Sequence, residues 1–163
     1  MFLNSCFNKL YNIRNMRIST QLIHNLLLRR IVYVNKDELW FYLRLEKTTR
    51  FSSYEFTRVT RLSPGNEEEY QSQINENCRL KTKYFQTSSK VTLEELNEAF
   101  EKEIEDMDDK YKFDLVIIYE TVLMSKDKTT SIDLRTLDKV VDLELFDVYP
   151  WGTKILKFKM HDS

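Results

Sequence analysis

The sequence predicts an α+β fold, predominantly α-helical, with one small β-hairpin at about residues 38–51. Glycine and proline are scarce, two of each in 163 residues, too few for the many tight turns of an all-β sandwich or barrel. Residues 38–45 read Glu-Leu-Trp-Phe-Tyr-Leu-Arg-Leu, an aromatic-rich, partly alternating run of the kind found in strands. Elsewhere Ser, Thr or Asp repeatedly precedes apolar residues at helical spacing. A hydrophobic fraction of 42% and an aromatic fraction of 13% support a packed interior, and the length suits a single domain over residues 1–163.

Taken in order, Ser19 or Thr20 caps a helix running to about Val32, with Leu22, Leu26 and Leu27 on one face. The strand at 38–45 returns through Glu46-Lys47-Thr48 into Thr49 to Phe51. Ser52 or Ser53 then caps a helix through Tyr54, Phe56, Val59 and Leu62, which Ser63-Pro64-Gly65-Asn66 stops. Residues 67–90 are polar and weakly patterned, a long loop with one helical turn around Ile74. Thr92 and Glu95 have the spacing of a capping box, and the helix they begin runs to about Ile104, burying Leu93, Leu96, Phe100 and Ile104. Residues 105–112 read as a charged connector, and 113–125 as a buried central helix, although the β-branched Val116, Ile117, Ile118 and Val122 also allow a strand start. Asp133 or Ser131 caps a helix through Leu134, Leu137 and Val140, and Asp142 caps a short one through Leu145 and Phe146. Tyr149-Pro150-Trp151-Gly152 makes a corner, and a last helix spans 153–160.

Composition narrows the function classes. Two cysteines, Cys6 and Cys78, are too few for a disulfide scaffold and favour a reducing intracellular compartment. No apolar run approaches the roughly 20 residues of a membrane span. The net charge of -1 hides an asymmetry: residues 1–61 carry 11 Lys/Arg against 4 Asp/Glu, residues 62–114 carry 7 against 14, and residues 115–163 carry 7 against 8. The basic part either packs or solvates beside the acidic middle, or faces a polyanion. The first 36 residues contain no acid, a composition shared with mitochondrial presequences.

Residues for chemistry are sparse, and neither a catalytic residue, a cofactor nor a metal is expected. The histidines and cysteines have no local zinc spacing. Gly65 and Gly152 cannot build a phosphate loop. The acid-rich run 101–109 lacks the alternating oxygens and central glycine of a calcium loop and reads as a solvated helix end and linker. Gln73 precedes Cys78, as an oxyanion-hole Gln precedes the nucleophile of ubiquitin-like-protein proteases. However, the spacing differs, Arg79 replaces the glycine that follows that nucleophile, and no His-to-Asp pattern lies upstream. Arg29, Arg30, Arg50, Arg58 and Arg61 could contact phosphates or a protein partner, with Trp40 as a stacking surface. Trp151 suits a packing anchor better than a ligand platform.

Three segments together carry a resemblance. They are Phe7-Asn8-Lys9-Leu10 with His24 to Arg29; Glu38-Leu39-Trp40-Phe41 with Arg50 to Leu62; and Ser125-Lys126-Asp127, Ile132-Asp133-Leu134, Val141 to Phe146 and Tyr149-Pro150-Trp151-Gly152. Over about residues 4–160 the chain resembles the plant domain of unknown function that precedes a ubiquitin-like-specific (SUMO) cysteine protease domain in proteins of Mutator-like transposable elements. Two departures stand out. Asn8 replaces a usual glycine, and Thr60-Arg61-Leu62-Ser63-Pro64 stands where relatives read Thr-Gly-Leu-Asn-Cys. The resemblance implies an element-derived plant protein, nuclear rather than mitochondrial, whose protease domain is absent here. The function expected is therefore a non-enzymatic accessory or protein-interaction domain, with an unknown protein partner and no membrane association. The alternative is a nucleic-acid-binding accessory domain using the basic N-terminal part. An interaction module predicts an exposed apolar patch, sought near Trp40 or Trp151.

Overall fold

The computed structural model describes residues 5–8, 19–32, 38–44, 47–74, 79–86, 88–102 and 104–161. In chain order the elements are α1 (Thr20–Leu27), β1 (Arg30–Ile31), β2 (Leu39–Tyr42), β3 (Thr48–Phe51), α2 (Ser53–Thr60), α3 (Glu68–Gln71) and α4 (Arg79–Phe85). They continue with α5 (Leu93–Lys102), α6 (Met107–Ile118), a π-helical segment (Tyr119–Leu123), α7 (Leu134–Val140), α8 (Leu143–Val148) and α9 (Trp151–His161). The fold is α+β and predominantly helical, with one antiparallel sheet in the order β1-β2-β3. The chain divides into two compact units. A sheet unit comprises Asn8–Gly65 and Pro150–Ser163, and a helical unit comprises Met1–Phe7 and Asn66–Tyr149.

In the sheet unit, Ser19 caps α1 by accepting from the Leu22 N–H. The helix ends at Leu27, short of the expected Val32. Competition for backbone partners explains the difference. The Arg29 carbonyl accepts the Tyr42 N–H at 2.8 Å, and Arg30 and Ile31 pair with Phe41 and Trp40. The residues predicted as the last helical turn thus extend the hairpin into a three-stranded sheet. The β2–β3 pair lies where it was expected, with Trp40 opposite Arg50 and Leu39 opposite Phe51. Ser52 and Glu55 form a full capping box at the start of α2. Phe51 meets Phe56 edge to face at 6.4 Å, which ties the sheet to that helix.

The end of α2 is unusual. Arg61 adopts φ 60 and ψ 21, a left-handed conformation, and its N–H is accepted by the Thr57 carbonyl. An L side chain crowds the neighbouring backbone in this conformation, which glycine adopts freely, so Arg61 holds local strain at the helix end. Beyond it, α9 packs against α2. The Gly152 N–H donates to the Ser63 carbonyl at 3.1 Å, and the Gly65 N–H donates to the Thr153 hydroxyl at 3.2 Å. A Cβ on Gly152 would lie 2.6 Å from the Thr57 methyl and 3.1 and 3.2 Å from the Ser63 and Leu62 carbonyl oxygens. Helix α9 begins at Trp151 rather than Thr153, so the expected corner is already its first turn.

The helical unit differs most from expectation. Residues 67–90 hold two helices, α3 and α4, rather than a long loop. Helix α4 buries Leu80 completely, and its polar sequence is held by ion pairs described below. The expected connector at 105–112 begins α6 instead: Asp106 caps it, accepting from the Asp108 and Asp109 N–H groups. The capping box at Thr92 is present, with the Thr92 N–H donating to Glu95 at 2.7 Å and the Glu95 N–H donating to the Thr92 hydroxyl at 3.2 Å. Ala99 takes the buried place assigned to Phe100, which is half-buried, and Ile104 is buried just beyond the end of α5. Asp133 and Asp142 cap α7 and α8 as expected. The core of this unit contains Val91, Leu96, Phe113, Val116, Leu137, Val140 and Phe146. Phe7 packs edge to face on Phe146 at 5.5 Å, and Phe85 stacks on Phe113 at 5.8 Å.

Two substitutions test these backbone arguments. Arg61→Gly should raise stability by roughly 1 kcal/mol, since glycine relieves the left-handed strain. Gly152→Ala should lower it by about 1–3 kcal/mol, because backbone oxygens cannot give way to the new methyl. Urea denaturation followed by circular dichroism measures both.

Candidate interaction surface

All the singled-out arginines and both tryptophans fall in the sheet unit, but the sheet does not gather them on one side. Residues directly opposite each other in an antiparallel pair project from the same face. Ile31, Trp40 and Arg50 therefore share one face, and Arg30, Phe41 and Thr49 share the other. Arg50 is also engaged: it pairs with Glu38 at 3.4 Å and Glu55 at 3.5 Å. Hydrogen bonds from the Ser52 hydroxyl and N–H hold the Glu55 carboxyl down at about 2, so Glu55 carries charge throughout the neutral range. Glu38 also accepts the Trp40 indole N–H at 2.9 Å, which fixes the half-buried ring. Arg58 is exposed on α2 and donates to the Tyr54 hydroxyl at 3.0 Å. Arg29, Arg30 and Arg61 are exposed. Trp151 is 0% exposed, so it anchors packing and offers a partner no surface.

The exposed apolar surface lies elsewhere than at Trp151. At 3.6 residues per turn, Leu22, Ile23, Leu26 and Leu27 occupy one side of α1. That side is not covered: no residue of α1 is buried, and Leu22, Leu27 and the helix-closing Leu28 are 60%, 62% and 71% exposed. Val32, Tyr42, Leu43, Tyr54 and Val59 of the same unit are exposed too. Nine of the twelve exposed large apolar side chains among the described residues therefore belong to the sheet unit. The sequence pattern showed the stripe but not its exposure, because amphipathicity marks a face that seeks cover without saying where the cover comes from.

Three buried carboxylates of the helical unit are each engaged by a cationic side chain. Asp109, in the run read as solvated, is fully buried. It accepts from Arg79, from Lys83 at 2.8 Å and from the Tyr84 hydroxyl at 2.8 Å, all on α4. Burial pushes its carboxyl upward, but the hydrogen bonds from Lys83, Tyr84 and Arg79 outweigh this and hold it below the usual carboxylate range. Asp138 on α7 takes Lys81 of α4 at 2.7 Å. At the π-helical segment, buried Glu120 pairs with Lys126 at 2.8 Å and accepts the Asp133 N–H at 3.2 Å. Burial raises the Glu120 carboxyl despite Lys126. Burial and the neighbouring Asp147 likewise push the Cys6 thiol up, which makes it a poor nucleophile. Cys78 lies outside the described residues. No group of three or more His, Cys, Asp and Glu is arranged to hold a metal among the described residues, and no helix there is long and apolar enough to cross a membrane.

The structure thus defines a helical α+β protein with an uncovered amphipathic helix beside a small sheet. Residues 27–161 match the family model described as "Domain of unknown function (DUF1985)", and the chain belongs to that family. The match begins at the last residue of α1, so it takes in the sheet and every later helix while most of the apolar stripe precedes it. Comparison with curated proteins and with solved structures finds no match.

Two titrations test the electrostatics. Ser52→Ala should move the Glu55 carboxyl from about 2 back toward its ordinary 4.5, as read by NMR of the side-chain carboxyl. Asp109→Asn should cost roughly 2 kcal/mol at neutral pH, the value of hydrogen bonds to a charged group. Because the folded-state value of Asp109 is depressed, its contribution is present above its ordinary 3.8 and is lost as pH falls through the lower folded value. The stability gap between wild type and variant should therefore close in acid, as denaturation at stepped pH would show.

Proposed function

We propose that the chain is a non-enzymatic protein-interaction or accessory module that binds through its sheet unit. The observation that carries this reading is α1, an amphipathic helix with an apolar side that the chain leaves exposed. Exposed apolar surface of this kind marks sites of association. The non-enzymatic part is supported by the disposition of the ionisable groups. Asp109, Asp138 and Glu120 are each engaged with a lysine or arginine and serve to pin helices. On the resemblance quoted above, the module is of plant, transposable-element origin, acts in the nucleus and is a companion of a SUMO protease. The order of the three motif segments supports this.

A nucleic-acid-binding role is the competing reading, favoured by the excess of 11 Lys/Arg over 4 Asp/Glu in residues 1–61. It is weakened by the engagement of Arg50 with two carboxylates and by the placement of Arg30 and Arg50 on opposite faces of the sheet. Capture from plant nuclear extract separates the two. Wild-type chain should retain proteins that resist nuclease treatment and are lost with the Leu22→Asp/Leu27→Asp variant. Retention that nuclease abolishes, or that Arg29→Glu/Arg30→Glu removes while the leucine variant keeps it, would contradict the interaction reading and favour nucleic acid.

A further inference from the structure

We infer that the partner of α1 is an acidic amphipathic protein segment, with apolar side chains that cover Leu22, Ile23 and Leu27 and carboxylates that meet Arg29 and Arg30. This rests on the interaction reading above and adds the partner's chemistry. Charge complementarity carries it. No acidic residue occurs in the first 36 positions, so neither α1 nor β1 carries a carboxylate of its own. The chain turns directly from α1 into Arg29 and Arg30, both exposed. Pairing with β2 fixes the backbone there: the Arg29 carbonyl accepts the Tyr42 N–H at 2.8 Å, and Arg30 lies opposite Phe41. The backbone of two exposed arginines is thus fixed just beyond the C-terminal end of an apolar stripe, a pattern that favours a segment with apolar residues along α1 and carboxylates beyond its end.

The same residues disfavour other occupants. A helix that lies on an anionic membrane places Lys and Arg along its polar face. The polar face of α1 is Thr20, Gln21, His24 and Asn25, none of them Lys or Arg. A helix that tracks a nucleic-acid backbone needs the same cations, and α1 itself contains no Lys or Arg. The apolar stripe supplies the contact area, and the two arginines supply selectivity.

Two fluorescein-labelled peptides of equal length test this with the full chain. Both carry leucine and phenylalanine at the same helical positions. One has Glu and Asp at its polar positions and the other has Lys. Fluorescence anisotropy should show the acidic peptide binding on the order of tenfold more tightly, with the advantage falling as salt rises. Leu22→Asp/Leu27→Asp should abolish binding of both peptides, and Arg29→Glu/Arg30→Glu should remove the acidic preference. These side chains are exposed, and circular dichroism should show the variants folded as the wild type. Equal binding of the two peptides, still lost in the leucine variant, would overturn the acidic partner while leaving the interaction module standing. Acidic binding that the leucine variant retains would place the site elsewhere and overturn the inference. So would failure of the acidic peptide to bind, or tighter binding to phosphatidylserine-containing vesicles or duplex DNA than to that peptide.

Discussion

The helical unit depends on the Asp109 carboxylate, buried with three donors from one short helix. Helix α4 has a single buried apolar side chain, Leu80, too little by itself to hold a seven-residue helix that is marginal in water. Arg79, Lys83 and Tyr84 of α4 converge on Asp109 of α6, and Lys81 reaches Asp138 of α7. A buried carboxylate is costly unless its oxygens are satisfied. These donors satisfy it and in doing so fix where α4 sits. The arginine and lysine partners stay partly in water while the carboxylates do not, so the desolvation falls mainly on the acids.

The sheet unit is built on a close backbone approach instead. Gly152 lets the start of α9 come within hydrogen-bonding distance of Ser63, and the left-handed Arg61 turns the chain out of α2 to meet it. Phe51 and Phe56 join that helix to β3. None of these contacts involves α1. Its end is set by β2, which takes the Arg29 carbonyl and pairs with the two residues after it. The helix is therefore anchored at one end through the sheet, while its leucines stay exposed. Anchored without being buried, it has the disposition of a binding element more than that of a core element.

Much of this was legible in the sequence where the determining contact is local. The Ser52 cap, Thr92 with Glu95, and the Asp133 and Asp142 caps all act within three residues, and each marked its helix. The β2–β3 pair was legible from its aromatic alternation. What escaped was decided by distant partners. The lysines and arginine of α4 look like a solvated run until Asp109, far along the chain, is seen to receive them. The acids of 105–112 look like a connector for the same reason. The stop at Leu27 is imposed by Tyr42. Of the site, the arginines were legible as exposed cations, but their division between two faces follows only from register. The apolar stripe was visible in α1, whereas its lack of cover was not.

Partner binding through α1 requires that the helix be formed yet uncovered in the free chain. Hydrogen–deuterium exchange of its amides measures this most directly. Protection across Thr20–Leu27 should be weak in the free protein, well below that of α6 with its buried Phe113, Leu115 and Val116, and should rise when the acidic amphipathic peptide is added. Protection of α1 equal to that of α6 in the free chain would mean that its apolar side is already covered, and would contradict the account.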